Sequence, residues 1–338
     1  MKEKEYIGNR DQLFNIKRYM YSDGKRKNVE AIELQNSNGL DVTILVDKCL
    51  DIYQLKYKGK NLNFITPTGI VNPYFYNTIG DEWINSWEGG FLTTCGLNNI
   101  GMSCIDEDKD YGLHGKIHNT PAEQVNINVK EIEDDIICII EGKISQSYMF
   151  GENLVIKRKY ICSFRKNKLF IEDNIMNNGY KKEALMMLYH FNIGYPLLSE
   201  YAKYVLPSMK IIARDEYAQK YIHDWEKIES PQENFREMCY YHKLKNNVDG
   251  SYTVGIDNNR ENLFLRINYN SDFLDKFVQW KMFGKGEYVS GLEPCSSTID
   301  GRANARFNKT LKFIEPKQTI FNNFCITISD DKKEVASL

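Results

Sequence analysis

From residue 40 to residue 328 the chain is a succession of short apolar runs, each closed by Gly, Asn or Asp. "LDVTILVD" (40–47) alternates, and "LDIYQLKYKGKNL" (50–62) alternates and then turns at Lys58-Gly59-Lys60. "VNINVKEIEDDIICIIEGKISQSYMF" (125–150) reads as two or three strands with acidic turns. Arg165-Lys166-Asn167-Lys168 separates "LVIKRKYICSF" from "LFIEDNIMNN" as a hairpin would. Further strands are expected at 263–269, 277–283, 287–294 and 321–328, all rich in β-branched and aromatic residues. Only 9–21 and the capped turn "SDFLDKF" (271–277) read as helix. So many antiparallel strands in one run imply an all-β fold, a large sandwich or barrel. No repeat, low-complexity tract or Pro/Ser linker divides the chain, so 1–338 is expected to be a single domain, with 1–30 a candidate N-terminal extension.

Charge excludes several partners. The net charge of -2 leaves no basic stripe for nucleic acid and no polybasic helix for a membrane surface. The charged N-terminus lacks a signal peptide's apolar core, and no apolar stretch approaches the roughly 18 residues of a membrane span. A cytoplasmic protein is expected. The eight cysteines form no CxxC pair, and without an export signal they read as reduced thiols.

Residues 63–121 differ from the rest. They hold two of the four tryptophans among many Gly, Pro and Asn, too aromatic for a disordered linker. Long ordered loops on a sheet scaffold usually carry function. Trp83 and Trp87 suit the apolar face of a sugar ring; packing over the sheet end is the alternative. His114 and His118 in "YGLHGKIHNTP" have the spacing of a helical zinc pair, but Gly112, Gly115 and the following Asn-Thr-Pro argue against a helix. No metal site is expected.

Two strand ends carry the remaining chemistry. In "MMLYHFNIGYPLL" (186–198), Met186, Leu188, His190 and Asn192 share one face, and Gly194-x-Pro196 ends the strand. That places His190 and Asn192 at the mouth of a sandwich, unless His190 is a core histidine bonded to a carbonyl. In "YVSGLEP", Val289, Gly291 and Glu293 share a face. A carboxylate there is costly unless it is functional or paired, with Lys281 of "QWKMF" the candidate partner. No Walker loop, GxGxxG or GxSxG is present, so a cofactor-free reaction is the simpler reading.

The segments "DKCLDI", "TPTG", "GGFLTTCGL", "YGLHGKI", "LYHFNIGYP", "QWKMF" and "GLEP" together resemble the aldose 1-epimerase (galactose mutarotase-like) superfamily, and more closely a branch of uncharacterised bacterial relatives. The ordered match runs from about residue 40 to 325. The resemblance implies a β-supersandwich and a mutarotase acting on a small carbohydrate. It implies His190 as acid, Glu293 as base and His114 as a sugar-binding residue. Lys48 stands where the related motif has arginine. With Trp87, Asn192 and Lys281 it completes the candidate sugar-binding set. A non-catalytic sugar-binding protein is the main rival; a glycoside hydrolase, which usually needs two carboxylates, ranks below it. Imidazolium at His190 and carboxylate at Glu293 are expected at neutral pH, with the carboxylate holding the imidazole's pKa up. The sugar-binding aspartate of the superfamily has no clear counterpart; Asp215 and Asp224 are regional candidates.

Overall fold

The computed structural model describes residues 2–336. The outermost positions of the expected domain, 1, 337 and 338, lie outside the described residues. Three large antiparallel sheets organise the chain. The first has five strands in chain order, from Phe14–Met20 to Lys60–Asn61. The second has eight and includes the long hairpins of Glu123–Ile132, Asp135–Ser147, Asn153–Ser163 and Lys168–Asn177. The third has six strands, ordered Ser208–Ala213, Met238–Leu244, Lys276–Gly284, Glu287–Cys295, Met186–Ile193 and Leu92–Leu97.

Period two explains how the six- and eight-stranded sheets meet. On Met186–Ile193 the odd residues Met187, Tyr189, Phe191 and Ile193 join the main apolar cluster. Tyr189 and Phe191 pack on Phe324 of the eight-stranded sheet, with ring centroids 4.5 and 5.5 Å apart. The even residues Met186 and Leu188 belong to a second cluster on the opposite face, under Trp83, Trp87 and Leu113 of the long loops. This strand is buried on both faces, which is why it reads as a continuous apolar run.

The strands expected at 40–47, 50–62, 263–269, 277–283, 287–294 and 321–328 are present with small shifts of boundary. The two helices are not. Residues 9–21 form a single 3-10 turn, Arg10–Gln12, followed by the strand Phe14–Met20. Strand pairing with Glu30–Asn36 and full burial of Phe14 override the weak helical pattern, and they draw the second half of the 1–30 segment into the first sheet. At 271–277, Ser271 Oγ does accept from the backbone N–H of Phe273 and Leu274, as a cap would. The chain then enters the strand Lys276–Gly284. Among the described residues no helix is long and apolar enough to cross a membrane.

Candidate functional site

The outer face of the six-stranded sheet is roofed by the loops, leaving a cleft of about 380 Å³. His190 and Glu293 lie at its floor, so they occupy the outward face of one sheet and not the mouth between two. Strand register decides what joins them. Glu293 pairs with Val278 and Gly291 with Trp280, and cross-strand partners point to the same side. Trp280 therefore faces the cleft and Lys281 does not.

Three tryptophans wall the cleft. Trp83 stacks on Trp87 at 5.2 Å and 24°, and Trp87 lies 6.1 Å from Trp280. Trp87 Nε1 donates to Thr93 Oγ1 at 3.0 Å, fixing that ring. Trp83 is almost fully buried and its Nε1 has no partner among the described residues. Both rings line the cleft, but Trp83 is nearly buried while Trp87 is half-buried.

His190 Nε2 lies 3.2 Å from Glu293 Oε1, with the two residues 5% and 2% exposed. The approach is close without being an aligned hydrogen bond: Glu293 Oε1 and His190 Nδ1 both lack a hydrogen-bond partner. Gly291 makes this approach possible. A Cβ there would sit 2.2 Å from Glu293 Oε1 and 3.0 Å from His190 Cε1.

Burial governs the charge of the pair. It pushes the Glu293 carboxyl well above the usual carboxylate range, with Glu237 adding to the rise and Arg214 opposing it. It also pulls the His190 imidazole well below its usual range, aided by His114 and resisted by the Asn192 side chain. Both shifts run toward the neutral forms, against the imidazolium–carboxylate pair expected from the sequence. Desolvation wins because both groups lose their water before either gains an aligned partner.

His114 enters from the loop side. Its backbone is left-handed, φ 56°, and the adjoining Gly115 lies so close to the sheet edge that a Cβ would meet Gly96 O at 2.2 Å. His114 Nδ1 accepts from the Gly101 N–H at 3.3 Å, which leaves the proton on Nε2. Burial lowers its pKa to about 4, so it is a neutral donor beside Trp83, 4.9 Å away, and His190, 5.9 Å away.

The other expected binding residues lie outside the cleft. Lys48 is fully buried, its ammonium held by Ser86 O at 2.9 Å, Asn119 Oδ1 at 2.5 Å and Glu88 Oε2 at 3.2 Å. It has spent all three donors on the protein. Lys281 donates to Asp224 O on the opposite face of the sheet, so it does not pair with Glu293 and lies outside the cleft. Asn192 shares the cleft-side face of its strand with His190 but is buried and does not line the cleft, donating to Gly90 O and His190 O. Asp215 caps the helix Glu216–Lys220, and neither it nor Asp224 lines the cleft.

His118 does not join His114. It lies in the turn Ile117–Asn119, with Nδ1 2.9 Å from Asp51 and Nε2 3.2 Å from Glu88. Burial would lower its pKa, but Glu88 and Asp51 outweigh that and raise it. Among the described residues no group of three or more His, Cys, Asp or Glu side chains is arranged to hold a metal ion.

The sequence reading missed Arg214, Glu237 and Trp280. Trp280 had a signal, its place in an alternating strand, but choosing its face needs the register. Arg214 and Glu237 stand at strand ends in segments with no motif.

The sequence matches, over residues 26–328, the family model described as Domain of unknown function (DUF4432). No curated protein matches it. Among solved structures, a candidate aldose 1-epimerase from Klebsiella pneumoniae has a TM-score of 0.91 at 22% identity, over 96% of this chain and 85% of that one. A galactose mutarotase-like protein from Clostridium acetobutylicum gives 0.66 at 16% identity, over 93% and 98%. A galactose 1-epimerase from Lactobacillus acidophilus gives 0.56 at 11%, over 93% and 98%. At these identities the likeness establishes the fold, the galactose mutarotase-like β-sandwich.

Proposed function

We propose that this chain, which belongs to the family described as domain of unknown function DUF4432, is a single-domain mutarotase of the aldose 1-epimerase type. The observation that carries the proposal is the 3.2 Å approach of His190 Nε2 to Glu293 Oε1 at the floor of a tryptophan-walled cleft. Mutarotation needs a base for the proton of the anomeric hydroxyl and an acid for the ring oxygen. Both oxygens are bonded to the same carbon, so acid and base must converge on one place. Two groups in contact do so; the two carboxylates of a retaining glycosidase stand about 5–5.5 Å apart to flank the bond.

The directions of the two shifts favour one division of labour. Neutral His190 takes the anomeric proton, and the carboxyl of Glu293 gives its proton to the ring oxygen. This reverses the roles implied by the resemblance. The ring opens to the aldehyde, the C1–C2 bond rotates, and closure returns both protons. His114 Nε2–H is placed to donate to a sugar hydroxyl, and Trp87 and Trp280 to pack on the pyranose face. The chemistry asks for no nucleotide.

Gly291→Ala is expected to lower turnover by about 10²-fold, the cost of misplacing reacting groups by about 1 Å. Gly291 is not among the left-handed glycines, so alanine suits its backbone and the damage falls on the carboxyl it displaces. Anomer exchange measured beside a thermal melt checks this: lost rate with a retained melt is the expected pattern.

Saturation-transfer NMR across a panel of aldoses, neutral and acidic, tests the function itself. Exchange between anomers of at least one sugar, faster than the buffer rate, is expected. Binding of sugars without exchange would leave a carbohydrate-binding protein instead.

A further inference from the structure

Arg214 is the one lysine or arginine among the described residues that line the cleft. It is anchored from behind. Its Nε donates to Asp300 Oδ1 at 3.1 Å, and Asp300 Oδ2 in turn accepts from the Tyr241 hydroxyl at 3.0 Å. Its backbone N–H is fixed to Cys239 O at 3.0 Å. The side chain keeps 19% exposure and lies against the Cys239 thiol, and beyond Asp300 no carboxylate or carbonyl among the described residues takes its guanidinium protons. The two other exposed carboxylates at the cleft already have donors of their own. Asp81 Oδ1 takes the Ser103 hydroxyl at 2.8 Å, and Glu237 Oε2 takes the Trp280 indole N–H at 2.7 Å. Neither is ion-paired with Arg214.

A guanidinium tied at Nε, with no oxygen acceptor at its terminal nitrogens among the described residues, offers a planar pair of donors. That shape matches two oxygens of one anion better than scattered hydroxyls. Burial disfavours charge on the Glu293 carboxyl, so the catalytic floor adds little repulsion toward an anion.

We infer that the substrate is an acidic aldose, whose carboxylate, sulfonate or phosphate, borne away from the anomeric carbon, is gripped by Nη1 and Nη2 of Arg214. This rests on the mutarotase reading and narrows it to a substrate class. Asp300 and Tyr241 are the positioning residues that hold the fork.

The test compares glucose and galactose with their 6-carboxylate, 6-sulfonate and 6-phosphate forms. Anomer exchange is followed by saturation transfer, and binding by quenching of tryptophan fluorescence. At least one acidic form is expected to exceed its parent by about tenfold or more in kcat/KM and in affinity, the usual scale of a hydrogen bond to a charged group. Which form wins identifies the anion. Arg214→Gln should abolish the preference, mainly through KM, and Arg214→Lys should restore only part of it because it keeps charge without the fork. A parent sugar handled as well as every acidic form by the wild-type protein overturns the inference, as does a preference that survives in Arg214→Gln. If no sugar exchanges anomers, the mutarotase reading falls, and the binding arm still decides. Tighter binding of an acidic form, lost in Arg214→Gln, sustains the clamp; equal binding overturns it. The wild-type comparison needs no variant to fold.

Discussion

Glu293→Gln is expected to cut anomer exchange by about 10²-fold or more, and His190→Gln by a similar factor. The double variant should be far less than additive, because each group is useless without the other. The pH profile then separates the roles. In the wild-type protein a bell is expected whichever group is the acid, so its limbs alone assign nothing. In Glu293→Gln only His190 of the catalytic pair is left to titrate. If it works as the neutral base, residual activity rises with pH through a value below the ordinary imidazole range and then stays flat. The acid limb remains and the alkaline limb is lost. Residual activity that falls as pH rises would restore His190 as the acid.

Stability gives an independent reading of the same group. The folded-state pKa of Glu293 is raised above its unfolded value. The folded protein therefore incurs no penalty below the ordinary carboxylate value. The penalty grows as pH rises from there toward the raised value, since only the unfolded chain can ionise freely. Glutamine removes that penalty. Glu293→Gln should gain stability relative to the wild-type protein as pH increases from about 4.3 upward. Denaturant melts at several pH values check it, and a constant difference would mean that Glu293 is not buried as an acid.

What the sequence allowed and withheld follows from the geometry of sheets. Period two placed Met186, Leu188 and His190 on one face, and Gly291 with Glu293 on another strand's face. It could not bring the two faces together, because pairing of Met186–Ile193 with Glu287–Cys295 is a contact across about 100 residues. The same missing register misled the reading of Lys281. Alternation makes Trp280 and Lys281 point to opposite sides, but only the pairing of Glu293 with Val278 says which side is the cleft. Lys48 was misplaced for another reason. The motif position survives as a turn, with Cys49 left-handed at φ 56°. Its lysine is turned inward to a carboxylate from a distant loop. His114 was legible because the glycines beside it disclosed a loop forced against the sheet.

A buried ionic chain lies beneath the site, and breaking it should cost more stability than any change in the cleft. Arg158 bonds Asp173 through Nε at 2.9 Å and Nη2 at 2.6 Å, Asp51 through Nη1 at 2.5 Å, and Thr94 Oγ1 through Nη2 at 2.8 Å. Asp51 continues to His118, His118 to Glu88, and Glu88 to Lys48. Three cations, Lys48, His118 and Arg158, thus balance three carboxylates, Asp51, Glu88 and Asp173, all away from water. Ile156, Arg158 and Tyr160 alternate along the strand Asn153–Ser163 and share its buried face. Arg158→Met is expected to cost about 3–5 kcal/mol, since it strands two carboxylates in the interior. Adding Asp51→Asn and Asp173→Asn should recover part of that loss. The position of the chain gives it a second effect. Tyr189 donates to Asp173 at 2.8 Å, and Thr94 pairs with Tyr189 as Thr93 pairs with His190. The network therefore holds the two strands that aim His190, and Arg158→Met should slow exchange without touching the sugar. His118 adds a pH signature of defined sign. Its folded pKa is raised, so its contribution is complete below the ordinary imidazole value and is lost as pH rises through the raised one. Glu88, lowered by Lys48 and His118 against the cost of burial, loses its contribution as pH falls through the depressed value. The stability gap between wild-type protein and His118→Gln should accordingly be widest between those limits and narrow on the alkaline side. Denaturant midpoints across the range decide it, and a gap that widens with alkalinity would remove His118 from the ionised chain.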